Sequence, residues 1–284
     1  MNLLWLIVLG TLWGSSYLFI KVIVAEVPAL TLVVGRLALA AILLWGILRA
    51  RGLSMPRSRR AWGDYAVMGL LSAALPYSLI SWGEQYISSG LASLLQATTP
   101  IFTVILAQFL TDDEQITAPR LTGVILGFVG VVILMLPDLR QGLQASLLGQ
   151  LAVVGSSLCY AGSAIYARRR LRGQPPLVLA TGQFVTGTIL MLPASLLIDR
   201  PFDLSPSLPV LASWLGLTVV GTVVAYIIYF TLIERNSATF VTMVTYIIPV
   251  NGLVLGALIL SEPLSAAVLG SLALILLGAL LVRV

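Results

Sequence analysis

The chain has 284 residues, 59% of them hydrophobic and only 10% charged, with a formal charge of +5 and a mean hydropathy of +1.04. Soluble domains carry about 25% charged residues, so an ordinary soluble protein is excluded. The lack of histidine removes the usual proton shuttle and the commonest metal ligand, and the single Cys159 cannot form an intrachain disulfide. Basic residues lie in short stretches between apolar runs, which suits orientation in a bilayer and argues against a nucleic-acid partner.

A chain in lipid must bond its backbone internally, and these runs lack the alternating polarity of barrel strands, so the predicted architecture is all-α. Ten spans are predicted, at 3–23, 29–48, 64–83, 88–110, 118–136, 147–167, 176–197, 209–232, 237–260 and 264–282. The first lacks a basic leader and a small-residue cleavage site, so it is read as a retained span. The connections are too short for a soluble catalytic or nucleotide-binding domain.

Twelve basic residues fall on one side of these spans. They include Arg49, Arg51, Arg57, Arg59 and Arg60 between spans two and three, and Arg168, Arg169, Arg170 and Arg172 between six and seven. The other side holds Lys21, Arg140 and Arg200. The positive-inside rule then predicts two cytoplasmic termini.

Two halves, 1–141 and 142–284, are related in sequence. An offset of 147 pairs Trp13 with Tyr160 and Lys21 with Arg168. An offset of 149 pairs Tyr77 with Tyr226, Ser88 with Ser237 and Pro100 with Pro249, and an offset of 148 pairs Glu114 with Glu262. Five spans per half make the second half enter from the opposite side. That predicts two inverted five-helix repeats, with a binding site near the midplane between them.

At these residues the chain resembles the EamA branch of the drug/metabolite transporter superfamily. The carriers of the likeness are Leu12-Trp13-Gly14-Ser15-Ser16 with Lys21, Pro28 followed by Arg36, the Leu94 to Pro100 stretch, and Glu114 and Glu262 ahead of Gly123, Gly127 and Gly130 or Gly270 and Gly278. Within that branch the nearest likeness is to YddG-like exporters of aromatic amino acids. The resemblance implies ten helices in two inverted repeats, export of amino acids or related metabolites, and a location in the cell's inner (plasma) membrane.

Pro100 and Pro249 lie mid-span as expected hinges, each freeing the carbonyl four residues earlier, on Gln96 and Thr245. Around them the candidate substrate-binding residues are Trp13, Tyr17, Tyr77, Ser81, Gln96, Thr99, Tyr160, Ser163, Tyr226, Thr245 and Tyr246. These are aromatics and polar groups that are costly in lipid and suit a ring-bearing or amphipathic solute. For single hydroxyls, bonding to the preceding turn is the competing reading. Arg36 is the one charge well inside a span, and an ion pair or gate with Glu26 or Glu84 is expected. Gly123, Gly127 and Gly130 have the spacing for close helix packing, read as internal, with a monomer favoured over a dimer.

No Asp, Glu or His lies mid-span, which argues against an intramembrane proton relay. The reading is therefore a secondary transporter of small neutral or zwitterionic metabolites, amino acids including aromatic ones foremost. It would work by alternating access without obligatory proton coupling, with the bilayer as its surroundings and no cofactor or metal. A passive channel is the alternative. A membrane enzyme ranks lower, for want of HExxH, paired aspartates or a nucleophile with a histidine base.

Overall fold

Long runs of Leu, Ala, Val and Ile with few charges satisfy their backbone bonds most cheaply as helices. The computed structural model describes residues 2–110, 117–235, 241 and 243–282, and every regular element among them is helical. Eight helices are long and apolar enough to cross a membrane: α1 (Asn2–Ile23), α2 (Ala29–Ala50), α3 (Arg59–Gly83), α4 (Ser89–Leu110), α5 (Ala118–Gln141), α6 (Ala145–Arg170), α7 (Pro176–Asp199) and α8 (Leu208–Tyr229). Two shorter apolar helices follow, α9 (Val244–Leu260) and α10 (Ala266–Leu281). The expected ninth span starts at residue 237, and its first residues, with Glu114 and Ser237, lie outside the described set.

Helix partners are α1 with α8 and α9, α6 with α3 and α4, α2 with α7, α4 with α9, and α5 with α10; α3 also packs on α7. Exchanging helices one to five for six to ten maps every pairing but the last either onto another member of the set or onto itself. Large apolar side chains such as Phe109, Leu258 and Ile189 are exposed on the outside, as a lipid-facing surface requires. Ser81, Ser93, Ser156, Ser157 and Thr181 are fully buried inside.

The expected glycine ladder packs internally. A Cβ on Gly123 would come 2.5 Å from the Gly278 carbonyl oxygen, and one on Gly278 equally close to the Gly123 carbonyl oxygen. Backbones at this separation leave no room for a side chain, which explains glycine on both helices.

Three departures from plain α-helix matter for the site. A wide π-type turn occupies Leu70–Ala74 of α3, and another Val219–Val224 of α8. Each leads into the tyrosine of the 149-residue pair, Tyr77 or Tyr226. Such a turn inserts an extra residue and re-aims the side chains that follow. The third is a break in α4 at Ala97 and Thr98, just before Pro100, whereas α9 continues through Pro249. The carbonyl of Gln96 expected to be free accepts a bond from Thr99 Oγ1 at 2.8 Å, so that acceptor is occupied.

Candidate functional site

One cavity of about 420 Å³ lies among the helices of both halves. α1 contributes Trp13, Ser16, Tyr17 and Ile20, which share one face because they are three, four and seven residues apart. α6 contributes Tyr160, Ser163, Ala164 and Ala167 with the same spacing. Past their π-turns, α3 and α8 supply Tyr77 with Ile80, and Tyr226 with Tyr229. The break in α4 presents Gln96, Ala97 and Thr99, and α9 presents Thr245, Ile248 and Pro249. α2 adds Arg36, and α7 adds Pro176, Leu179, Ala180 and Gln183.

Aromatic rings form one flank. Trp13 lies 5.4 Å from Tyr229 and 6.0 Å from Tyr226, and Phe184 packs edge-on against Tyr226 at 5.1 Å. These centroid separations are those of favourable edge-to-face pairs. Polar groups are mostly bonded within the protein. Gln96 donates to Thr99 Oγ1 at 2.9 Å and accepts from Ser156 Oγ at 2.6 Å, which ties the α4 break to α6. Ser72 Oγ lies 3.0 Å from Gln183 Oε1, and Ser163 Oγ donates to the Tyr160 carbonyl.

Arg36 is 4% exposed. Its Nε donates to Thr222 Oγ1 at 2.9 Å, and its Cζ lies 3.9 Å above the centre of the Tyr77 ring. The expected ion pair is not formed. Glu26 accepts from Ser207 N and Oγ, each at 2.7 Å, while both Glu84 carboxylate oxygens are buried without a hydrogen-bond partner. The pairing fails because Glu84 follows the last turn of α3, where Lys21 Nζ bonds the carbonyls of Glu84 and Ile87 at 2.5 and 2.8 Å rather than the carboxylate.

At the arginine-rich end the wall is partly exposed, at Ala167, Pro176 and Leu179, near the end of α6 and the start of α7. At the other end the lining stops at Ile20 and Ile80, each three residues before its helix ends. Carboxylates tie that end together by binding the exposed amides at helix starts, where the partial positive charge of the helix lies. Asp199 Oδ2 accepts from Thr31 N at 2.7 Å, and Glu262 accepts from Ser89 N at 2.7 Å, Ser89 Oγ at 2.9 Å and Gly90 N at 2.9 Å. The Ser207 amide bound by Glu26 holds the carboxyl of that exposed residue below the usual carboxylate range.

Of the residues singled out in the sequence, Trp13, Tyr17, Tyr77, Gln96, Thr99, Tyr160, Ser163, Tyr226 and Thr245 line the cavity, with Arg36 and Pro249. Ser81 and Tyr246 do not. Ser81 is buried without a hydrogen-bond partner, and Tyr246 turns toward α10, its hydroxyl donating to the Ala279 carbonyl at 2.9 Å. Pro100 and Glu84 also lie off the wall. Sequence reasoning missed Gln183, although an amide amid the apolar residues of α7 is the same signal that pointed to Gln96.

Two stretches, 1–136 and 147–284, match the model of the EamA-like transporter family. The chain belongs to this family. An uncharacterized transporter of Archaeoglobus fulgidus is 27% identical over 94% of this chain and 93% of its own length. The uncharacterized inner membrane transporter YedA of Escherichia coli is 27% identical, covering 92% of this chain and 83% of YedA, and protein PecM of Dickeya dadantii is 26% identical over 90% and 83%. One solved crystal structure superposes with a TM-score of 0.71 at 18% identity, covering 99% of this chain and 96% of that one, a likeness of fold alone. This EamA-like chain is accordingly a multi-pass membrane protein of a transporter family, which makes catalysis an unneeded explanation of its cavity.

Proposed function

We propose that the protein is a secondary transporter moving small neutral or zwitterionic metabolites, amino acids including aromatic ones foremost, through alternating access of the central cavity. The observation that carries this reading is how the lining divides between the halves. Trp13, Ser16, Tyr17 and Ile20 correspond at an offset of 147 to Tyr160, Ser163, Ala164 and Ala167, and Tyr77 and Ile80 correspond at 149 to Tyr226 and Tyr229. A cavity shared by inverted repeats, 1–141 and 142–284, opens to either side when the halves exchange conformations. The helix pairings that survive exchange of the halves, and the family match in two stretches, support that arrangement.

The arginine-rich end faces the cytoplasm under the positive-inside rule, so both termini are cytoplasmic and this conformation faces inward. Among the described residues no Asp or Glu lines the cavity, which favours transport without obligatory proton coupling. The glycine faces of α5 and α10 are consumed by each other, which favours a monomer. Export across the inner membrane is the direction suggested by the family's exporters.

The test is uptake of radiolabelled neutral amino acids into liposomes holding the purified protein, beside Gln96→Ala and Tyr77→Ala, with and without a pH gradient. Saturable, stereoselective uptake lost in both variants is expected. Unsaturable flux means a channel, strict dependence on the gradient ends the uncoupled mechanism, and no amino-acid uptake moves the substrate to another class.

A further inference from the structure

We infer that Arg36 is the anion-recognition residue of the cavity and that the transported solute carries a single carboxylate, which docks on the guanidinium edge. This rests on the reading of the cavity as the transport site and names the chemistry that site selects.

A guanidinium is a permanent cation, and burying one without a counter-charge is costly. Arg36 is nine-tenths buried on the cavity wall, yet no carboxylate among the described residues accepts a hydrogen bond from it. Glu84 lies close enough to interact electrostatically with Arg36, yet both its carboxylate oxygens lack a hydrogen-bond partner and no direct pair joins the two. The guanidinium is held in a fixed orientation. One face rests on Tyr77, and Nε is anchored to Thr222, whose own hydroxyl donates to the Leu217 carbonyl at 3.0 Å across the start of the π-turn. With Nε and one face engaged, the two terminal nitrogens remain as a planar fork that matches a carboxylate in two parallel bonds. The fork is pre-organised, so little side-chain entropy is lost when an anion arrives.

Charge balance selects the anion. Among the described residues Arg36 is the only charged side chain on the wall. A carboxylate, alone or as the acid end of a zwitterion, matches the single charge of Arg36, whereas a phosphate monoester brings close to two negative charges to one guanidinium. The aromatic flank of Trp13, Tyr226 and Tyr229 then takes the apolar body of the solute.

The test is calorimetric titration of the full-length protein in nanodiscs with 3-phenylpropionate, 3-phenylpropionamide and phenyl phosphate. The acid is expected to bind at least tenfold more tightly than the amide. Arg36→Gln should level the two, and Arg36→Lys should keep part of the preference. Should Arg36→Gln fail to fold, Thr222→Val keeps the charge and loses its anchor, along with the bond to the Leu217 carbonyl: affinity for the acid falls several-fold while the preference for acid over amide stays. Equal binding of acid and amide, no binding of the acid, a preference that survives in Arg36→Gln, or tighter binding of phenyl phosphate each overturns the assignment. Uptake of the same labelled compounds into liposomes separates the two readings. Neutral solutes crossing without an acid preference remove the Arg36 assignment and spare transport. Arg36-dependent binding with no solute crossing removes transport and spares Arg36.

Discussion

Glu262 should hold the closed end of the cavity shut. Its carboxylate, just ahead of α10, receives three hydrogen bonds at the start of α4, from Ser89 N, Ser89 Oγ and Gly90 N. In Glu262→Gln one amide oxygen still serves Ser89, but an NH₂ group now faces the Gly90 amide, donor against donor. The loss is one charge-assisted bond, worth about 1.5–3 kcal/mol. If all of it falls on the closed conformation, the ratio of closed to open at this end drops by roughly 10- to 100-fold. The readout is an Ile80→Cys reporter in a Cys159→Ala background, labelled by an impermeant maleimide from the side of residues 261–265. Ile80 is 4% exposed at the inner margin of the seal, so its labelling reports opening directly. Labelling should accelerate by at least tenfold in Glu262→Gln, and less in Ser89→Ala, which removes one bond of the three. Rates within twofold of the parent would refute the assignment of Glu262 to the seal.

Two further outcomes follow from single contacts. Gly278→Ala puts a methyl 2.5 Å from a backbone oxygen and should cost about 1–3 kcal/mol by overpacking, whereas Gly270→Ala meets nothing within 4 Å and should be neutral or slightly stabilising; a thermal unfolding series in detergent compares them. Glu26 has its carboxyl pKa lowered by the Ser207 amide, so its contribution to stability is fully present above the ordinary carboxylate value and fades as pH falls through the lowered one. The fall in unfolding temperature below pH 4.5 should therefore be shallower in Glu26→Gln, and an identical pH profile would remove that role.

Hydropathy was enough to read the helices, because lipid leaves the backbone no other economical choice. Spacing placed Trp13, Tyr17, Tyr160 and Ser163 on the cavity wall, since residues three and four apart share a helix face wherever that face points. Rotation about the axis of an almost uniformly apolar helix has no such signature. Thr245 and Tyr246 are neighbours turned about 100° apart, and only packing against α10 decides that the first faces the cavity and the second does not. The π-turn at Leu70–Ala74 left no local mark either, because it contains neither Gly nor Pro. Arg36 was legible as unusual but not as unpaired, since two carboxylates near the same end in sequence gave it equally plausible partners. One was taken by Ser207, and the other lay beyond the end of its helix.

The repeat correspondence also shows where the halves differ. Pro28 and Pro175, which precede α2 and α7, are 147 residues apart, and the same offset carries Arg36 to Gln183. Both line the cavity, one a fixed cation and the other a neutral amide. Each half places a π-turn ahead of its paired tyrosine, the kind of correspondence that the proposed alternating access would use, although α4 breaks before Pro100 where α9 continues through Pro249. A fully symmetric wall would hold a solute in either orientation. In the proposed transport a single charge on one half would orient it, and because Arg36 is anchored to Thr222 of α8 in the opposite half, the hydrogen bond that aims the fork also spans the two halves. In that proposal one guanidinium would link recognition of the anion to the relative position of the halves.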